Sequence, residues 1–208
     1  MMKICQKLLK KERSNIRLLD VGCSSGSFVY AAESVGVQAE GVEPSANPAQ
    51  TVVAQGLKVQ QGFIEDLHLP ENSFDVITLF EVVEHLSAPV PLFKECHRIL
   101  SPGGIMIVRT GNTESWTARF MRGSWEYFDM TRHGGHISFF SPSSFDLLAR
   151  RCDFKTVRLQ TRKVTFYEQG MLPHIPFQMV RLLTHLIKPP AAWLGKGHTM
   201  QAYLQKIS

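Results

Sequence analysis

A chain of 208 residues with 44% hydrophobic and 20% charged side chains has the makeup of one ordinary globular domain. Its four cysteines, Cys5, Cys23, Cys96 and Cys152, form no Cys-x-x-Cys pair, which excludes a zinc ribbon or disulfide framework. No stretch reaches the roughly 18 uninterrupted apolar residues of a membrane span. The net charge of +5 is modest, compatible with an anionic substrate, RNA or an acidic membrane surface, and selects none of them.

In chain order, the short apolar run Ile16–Val21 reads as a buried parallel strand. A small-residue turn, Gly22 to Gly26, leads into a helical pattern over Ser27–Val35. A second strand, Gln38–Val42, runs into Glu43, and a helix over Asn47–Gln55 follows. Strands are then predicted at Leu57–Gln61 and Phe74–Phe80, a helix at Val90–Leu100, and a strong break at Ser101-Pro102-Gly103-Gly104 before a strand at Ile105–Arg109. Ser141 and Pro142 supply a capping hydroxyl and a first-turn proline for a helix over Pro142–Arg151. Strands at Thr156–Thr161 and Thr199–Gln205 complete the set. Repeated strand–helix units predict an α/β fold, a doubly wound and mostly parallel sheet with helices on both faces, in a single domain over 1–208.

Two stretches stand outside that alternation. Residues 111–135, with Trp116, Phe120, Trp125, Tyr127 and Phe128, follow the fifth strand and should overhang a pocket, as a lid or as a packed loop. In the helical insertion at about 170–195, Ile175, Met179, Leu182, Leu183 and Leu186 approximate one apolar face; packing on the core or a second copy is the default and peripheral membrane contact the alternative. Basic residues cluster at Lys7–Arg13 and Arg150–Lys163 and read as solvated faces. Widely spaced cysteines fit a reducing cytoplasm, and Met1–Arg13 lacks the apolar core of a secretory signal.

The most informative segment is Leu18-Leu-Asp-Val-Gly-Cys-Ser-Ser-Gly26, followed by Gly41-Val-Glu-Pro-Ser45. In doubly wound sheets, ligands sit beyond the carboxyl ends of the strands, and an acid ending the second strand accepts hydrogen bonds from a ribose. A dinucleotide fingerprint needs Gly-x-Gly-x-x-Gly; in that register stand Gly22, Ser24 and Ser27, so two of the three glycines are missing. An NAD-dependent oxidoreductase is thereby disfavoured. Ser24 occupies a position where a positive φ would carry some strain.

The loop Asp20-Val-Gly-Cys-Ser-Ser-Gly26 resembles motif I of the class I S-adenosylmethionine-dependent methyltransferases. Further segments continue the resemblance: Gln61 to Leu67, Pro70 to Ile77, Leu79-Phe-Glu-Val-Val-Glu-His-Leu86, Arg98 to Gly104 and Gly134 to Ser141. The small ubiquinone-pathway-type O-methyltransferases are similar. The resemblance implies a seven-stranded Rossmann-like fold with an antiparallel last strand, and S-adenosyl-L-methionine as cofactor. It places Gly22, Cys23 and Gly26 against the methionine part, counts Asp20 and Ser24 among the cofactor-binding residues, and puts Glu43 on the ribose hydroxyls and Pro44 near the adenine. Gly62, Phe63 and Ile64 would border the adenine edge, and Phe80 and Glu81 would close the far side.

Methyl transfer to a hydroxyl requires an in-line acceptor and a group to take its proton, a task for histidine near neutral pH. His85, His133 and His136 are candidates, with His85 and His136 foremost; the acceptor wall is predicted from His85, Trp116, Trp125, Tyr127 and His136. If Glu81, Glu84 and His85 shared a helical face they could meet a divalent cation, with His136 or His133 adding a ligand, as in RNA 2′-O-methyltransferases and ubiquinone-pathway enzymes; local hydrogen bonding is the favoured alternative. The leading expectation is O-methylation of a small-molecule, glycan or lipid-linked hydroxyl. Metal-assisted RNA methylation and an inactive cofactor-binding module acting through a partner are the alternatives. The oligomeric state is left open.

Overall fold

The structure is a computed structural model that describes residues 1–54, 56–129, 135–164 and 177–207. Its elements are α1 (Met2–Leu9), β1 (Arg17–Val21), α2 (Ser27–Glu33), β2 (Gln38–Glu43), α3 (Ala46–Ala54), β3 (Val59–Gln61), β4 (Phe74–Phe80), α4 (Pro89–Ile99), β5 (Leu100–Gly111), α5 (Trp116–Met121), α6 (Pro142–Arg151), β6 (Phe154–Arg162), α7 (Phe177–Trp193) and β7 (Thr199–Lys206). The strands form one seven-stranded sheet in the order β3-β2-β1-β4-β5-β7-β6. Strands β1 to β5 run parallel, while β7 is antiparallel to both β5 and β6. Helices cover both faces, as expected of a Rossmann-like methyltransferase fold.

Period-two alternation of apolar side chains explains the two layers. Leu18, Val76, Ile105 and Ile107 point to one face, where Cys5 of α1, Val29 and Ala32 of α2, and Val52 of α3 pack on them. Leu19, Ile77, Met106 and Val108 point to the other, under Phe93 and Cys96 of α4 and Phe145 and Leu148 of α6. With both faces buried, the central strands read as continuous apolar runs. All four cysteines are buried, unpaired thiols.

Several elements depart from the sequence expectation. The basic stretch near the amino terminus is partly the amphipathic helix α1, which buries Cys5, and Lys11 is not merely solvated: its ammonium lies 2.8 Å from buried Asp75. Burial alone would raise the Asp75 carboxyl, but hydrogen bonds from the Arg17 backbone N–H and from Lys11 outweigh it and hold it below the ordinary value. The Ser101–Gly104 break does not end a strand. It is an irregularity inside β5, where Leu100 pairs with Phe74 and Ile105 with Val76. The Ser141 cap forms as predicted, as a reciprocal capping box with Ser144. Helix α3 ends at Ala54, and Gln55 lies outside the described residues. So do His133 and the part of the helical insertion that includes Ile175. Among the described residues, no helix is long and apolar enough to cross a membrane.

Candidate functional site

The carboxyl ends of β1, β2, β4 and β5 lie along one edge of the sheet, and the loops leaving them build two adjoining regions. The first is the β1–α2 turn. The N–H groups of Gly22 and Cys23 both donate to the Val42 carbonyl, which draws the turn against the end of β2. Gly26 has φ +68°, and a Cβ there would stand 2.4 Å from Val52 Cγ1, so the turn closes only with glycine. Ser24 does have the positive φ anticipated for it, +47°. Its N–H donates to Glu43 Oε2 at 2.9 Å, and the Ser45 N–H donates to Glu43 Oε1 at 2.9 Å.

Glu43 is thus a buried carboxylate at the end of β2, oriented by two backbone amides, and each oxygen keeps a further lone pair for a hydroxyl donor. Those acceptors fit the ribose hydroxyls of the S-adenosylmethionine that the resemblance implies. Beneath the turn, Thr78 Oγ1 donates to Asp20 Oδ1 at 2.6 Å. Burial pushes Asp20 up to about 7, against the opposing effects of the Thr78 bond and Arg109. Pro44 and Phe63 are exposed at this edge, whereas the Ile64 side chain is directed into the core instead. Phe80 meets Phe28 edge-to-face at 5.0 Å, and the Arg109 guanidinium lies 4.4 Å over its ring.

The second region is a cleft of about 630 Å³ beyond β4 and β5, lined among others by Glu81, His85, Arg109, Tyr127 and His136. Glu81 joins its sides: Arg109 Nε donates to Oε1 at 3.2 Å and the Tyr127 hydroxyl to Oε2 at 2.5 Å. Tyr127 sits over the end of β5 because Gly111 has no side chain; a Cβ there would lie 2.6 Å from the ring. The His85 and His136 rings are 4.8 Å apart. His136 Nδ1 is 3.0 Å from the Tyr127 carbonyl, which can only accept, so Nδ1 is the donor. The Glu84 carboxyl is buried with no hydrogen-bond partner for either oxygen among the described residues, although Glu81 and Thr110 lie nearby. Burial first, and the Glu81 carboxylate second, push it up to about 8.

The helical face proposed for Glu81, Glu84 and His85 does not form. Val83–His85 is a single 3-10 turn, and Glu81 before it has φ +57°. Among the described residues, no three His, Cys, Asp or Glu side chains are placed to hold a metal ion. Of the predicted acceptor wall, His85, Tyr127 and His136 line the cleft. Trp125 instead lies buried behind it, stacked on Tyr127 at 5.0 Å, and Trp116 is not among the lining residues.

The sequence reading missed His198 and Glu126. Trp125 Nε1 donates to His198 Nδ1 at 3.2 Å, which fixes the tautomer, and His198 Nε2 donates to Glu126 Oε1 at 2.7 Å. This pairing ties the turn that carries Tyr127 to the start of β7. Nothing local in the sequence announces it, because His198 stands 73 residues from Trp125.

Comparison with known proteins agrees with this architecture. A family model described as a methyltransferase domain matches residues 1–159. A ubiquinone biosynthesis O-methyltransferase of Bradyrhizobium sp. (strain ORS 278) is 33% identical over 108 residues, 48% of this chain and 41% of that protein. One from Azorhizobium caulinodans is 39% identical over 106 residues, 47% of this chain and 41% of its own length. The chain therefore spans less than half the length of these curated relatives. The crystal structure of an S-adenosylmethionine-dependent methyltransferase from Mesorhizobium loti shares the fold, with a TM-score of 0.68 at 18% identity over 98% of this chain and 96% of that one. With three-quarters of its length matched and the sheet order, glycine turn and strand-end carboxylate in place, the chain belongs to the methyltransferase-domain family.

Proposed function

We propose that this domain methylates a hydroxyl group of a small-molecule, glycan-linked or lipid-linked acceptor, with S-adenosylmethionine as its cofactor. When bound, the cofactor supplies a methyl group already activated by a sulfonium. Glu43 accepts the ribose hydroxyls, while Gly22, Cys23 and Ser24 line the methionine side and Gly26 keeps the turn close. Phe63 shields the adenine edge, and Phe80 and Glu81 close the opposite wall. In the cleft, His136 holds its proton on Nδ1 and takes the acceptor's hydroxyl proton at Nε2. His85 packs against it and completes the wall. Glu84 lies buried behind this wall, and Glu81 orients Tyr127 and Arg109.

The observation that carries this reading is the His85–His136 pair lining the cleft that adjoins the cofactor turn. The relatives named as ubiquinone biosynthesis O-methyltransferases support oxygen as the atom methylated. The test is transfer of label from methyl-labelled S-adenosylmethionine to a panel of phenols, catechols, glycans and amines. Labelled methyl ethers are expected. Product formed on amines alone, or label never leaving a cofactor that binds well, would overturn the reading.

A further inference from the structure

The cleft's charges are unevenly compensated. On its β5 side, Arg109 is paired with Glu81, and His198 donates to Glu126. On its β6 side, Arg162 and Lys163 line the same cleft, and among the described residues neither forms an ion pair. The Arg162 guanidinium donates to Gln160 Oε1 at 3.1 Å, a neutral acceptor.

Register shows how these groups share a surface. Arg109 pairs with Gln201 and Gln201 with Gln160; one step along, Gly111 pairs with Thr199 and Thr199 with Arg162. Paired residues project to the same face, as do residues two apart along a strand. Arg158 pairs with Tyr203 on that face, and both guanidinium groups lie close enough to oppose the upward push that burial gives the Tyr203 hydroxyl. The face therefore runs from Arg109 through Thr199 and Gln201 to the exposed Arg158 and Arg162, and exposed Lys163, just past the end of β6, lines the cleft beside Arg162. Two strand spacings separate β5 from β6, roughly 10 Å. That is the length of a ring-bearing molecule with a substituent, not of a bare ion.

We propose that Arg162 and Lys163, with Arg158 behind them, form an anion-binding end of the acceptor cleft, so that the acceptor carries a carboxylate or phosphate group remote from the hydroxyl that is methylated. The inference rests on reading this cleft as the acceptor site. Arginine suits the task because its planar fork donates two parallel hydrogen bonds to a carboxylate or phosphate, while Lys163 adds a point charge and Thr199 and Gln201 add neutral polar groups. Cations on an exposed strand also discourage edge-to-edge association. Edge protection alone, however, requires no saturable anion binding.

The experiment titrates the full chain with inorganic phosphate and, separately, with benzoate, following the arginine side-chain N–H signals by NMR at constant ionic strength. A saturable shift centred on Arg162 is expected for at least one anion; the tighter of the two assigns the acceptor's group as phosphate or carboxylate. Arg162→Gln combined with Lys163→Gln should weaken binding about tenfold or more, with Arg162→Lys intermediate and S-adenosylmethionine affinity unchanged by calorimetry. Absence of a saturable shift, an equal response to chloride, or unchanged anion affinity in the double variant would overturn the proposal. Anion binding by a protein that failed to transfer methyl to any hydroxyl would instead count against the proposed function and leave the anion site standing.

Discussion

Glu43 serves two structures at once, and that makes its replacement informative. Its carboxylate accepts the Ser24 and Ser45 N–H groups, both at 2.9 Å, and is the acceptor proposed for the ribose. Glu43→Ala removes both bonds and strands two amides. Each charge-assisted bond contributes roughly 1.5–3 kcal/mol when buried. These are only part-buried and water can replace some of the lost bonding, so a total of about 2–3 kcal/mol is expected. For a chain of this size that lowers Tm by about 5–10 °C. Loss of the ribose acceptor should cost a further 1–3 kcal/mol or so of binding, roughly 5- to 150-fold in Kd. Glu43→Gln keeps an acceptor for one amide but points an NH2 group at the other, so it should fall between Ala and wild type. Calorimetric titration with S-adenosylmethionine and thermal melts of the free protein separate the two effects. Affinity within twofold of wild type in the Ala variant would remove Glu43 from the cofactor site; an unchanged Tm would show that the turn does not depend on it.

Ser24→Gly should relieve the positive φ at that position and raise Tm by a few degrees, corresponding to about 1 kcal/mol, whereas Gly26→Ala should lower stability by about 2–4 kcal/mol through backbone strain and collision with Val52; denaturant midpoints measure both. Asp20 is raised to about 7 in the folded protein, so the native state binds a proton that the unfolded chain releases near pH 4. Its contribution is therefore complete below about pH 4 and is lost as pH rises through about 7, and Asp20→Asn should flatten that part of the stability–pH curve for the free protein, with thermal melts from pH 5 to 8 as the check. His136→Ala and His85→Ala should lower turnover on a hydroxyl acceptor by roughly 10²–10⁴-fold for whichever serves as the base, with cofactor affinity retained. Wild-type turnover in both would exclude imidazole catalysis.

The sequence displays most of the sheet because its signals are local. Short runs rich in apolar and β-branched residues located all seven strands, and the missing glycines at Ser24 and Ser27 distinguished this nucleoside site from a dinucleotide one. What escaped was decided by distant partners. Helix α1 reads as a basic patch until the sheet offers Cys5 and its neighbours a surface. Leu100 joins β5 across a Pro-Gly-Gly break because Phe74 is there to pair with it. Trp125 looks like a pocket wall, yet it is the donor that fixes a histidine at the other end of the chain. The spacing of Glu81, Glu84 and His85 suits a helical face, but the left-handed backbone at Glu81 redirects each side chain.

The four buried thiols give the fold a built-in set of clocks. Burial pushes Cys5 up to about 11 and Cys23 up to about 12, and raises Cys96 and Cys152 as well, so none presents a reactive thiolate while the native packing holds. They sit in separate places: on α1, in the β1–α2 turn, on α4 and at the end of α6. A thiol-reactive probe can therefore modify each only as fast as its own neighbourhood opens, and mass spectrometry of the labelled peptides would rank the local stabilities of four regions in one experiment. Saturation with S-adenosylmethionine should slow the Cys23 clock most, since that thiol belongs to the turn proposed to hold the cofactor, where it packs against Gly41 of β2.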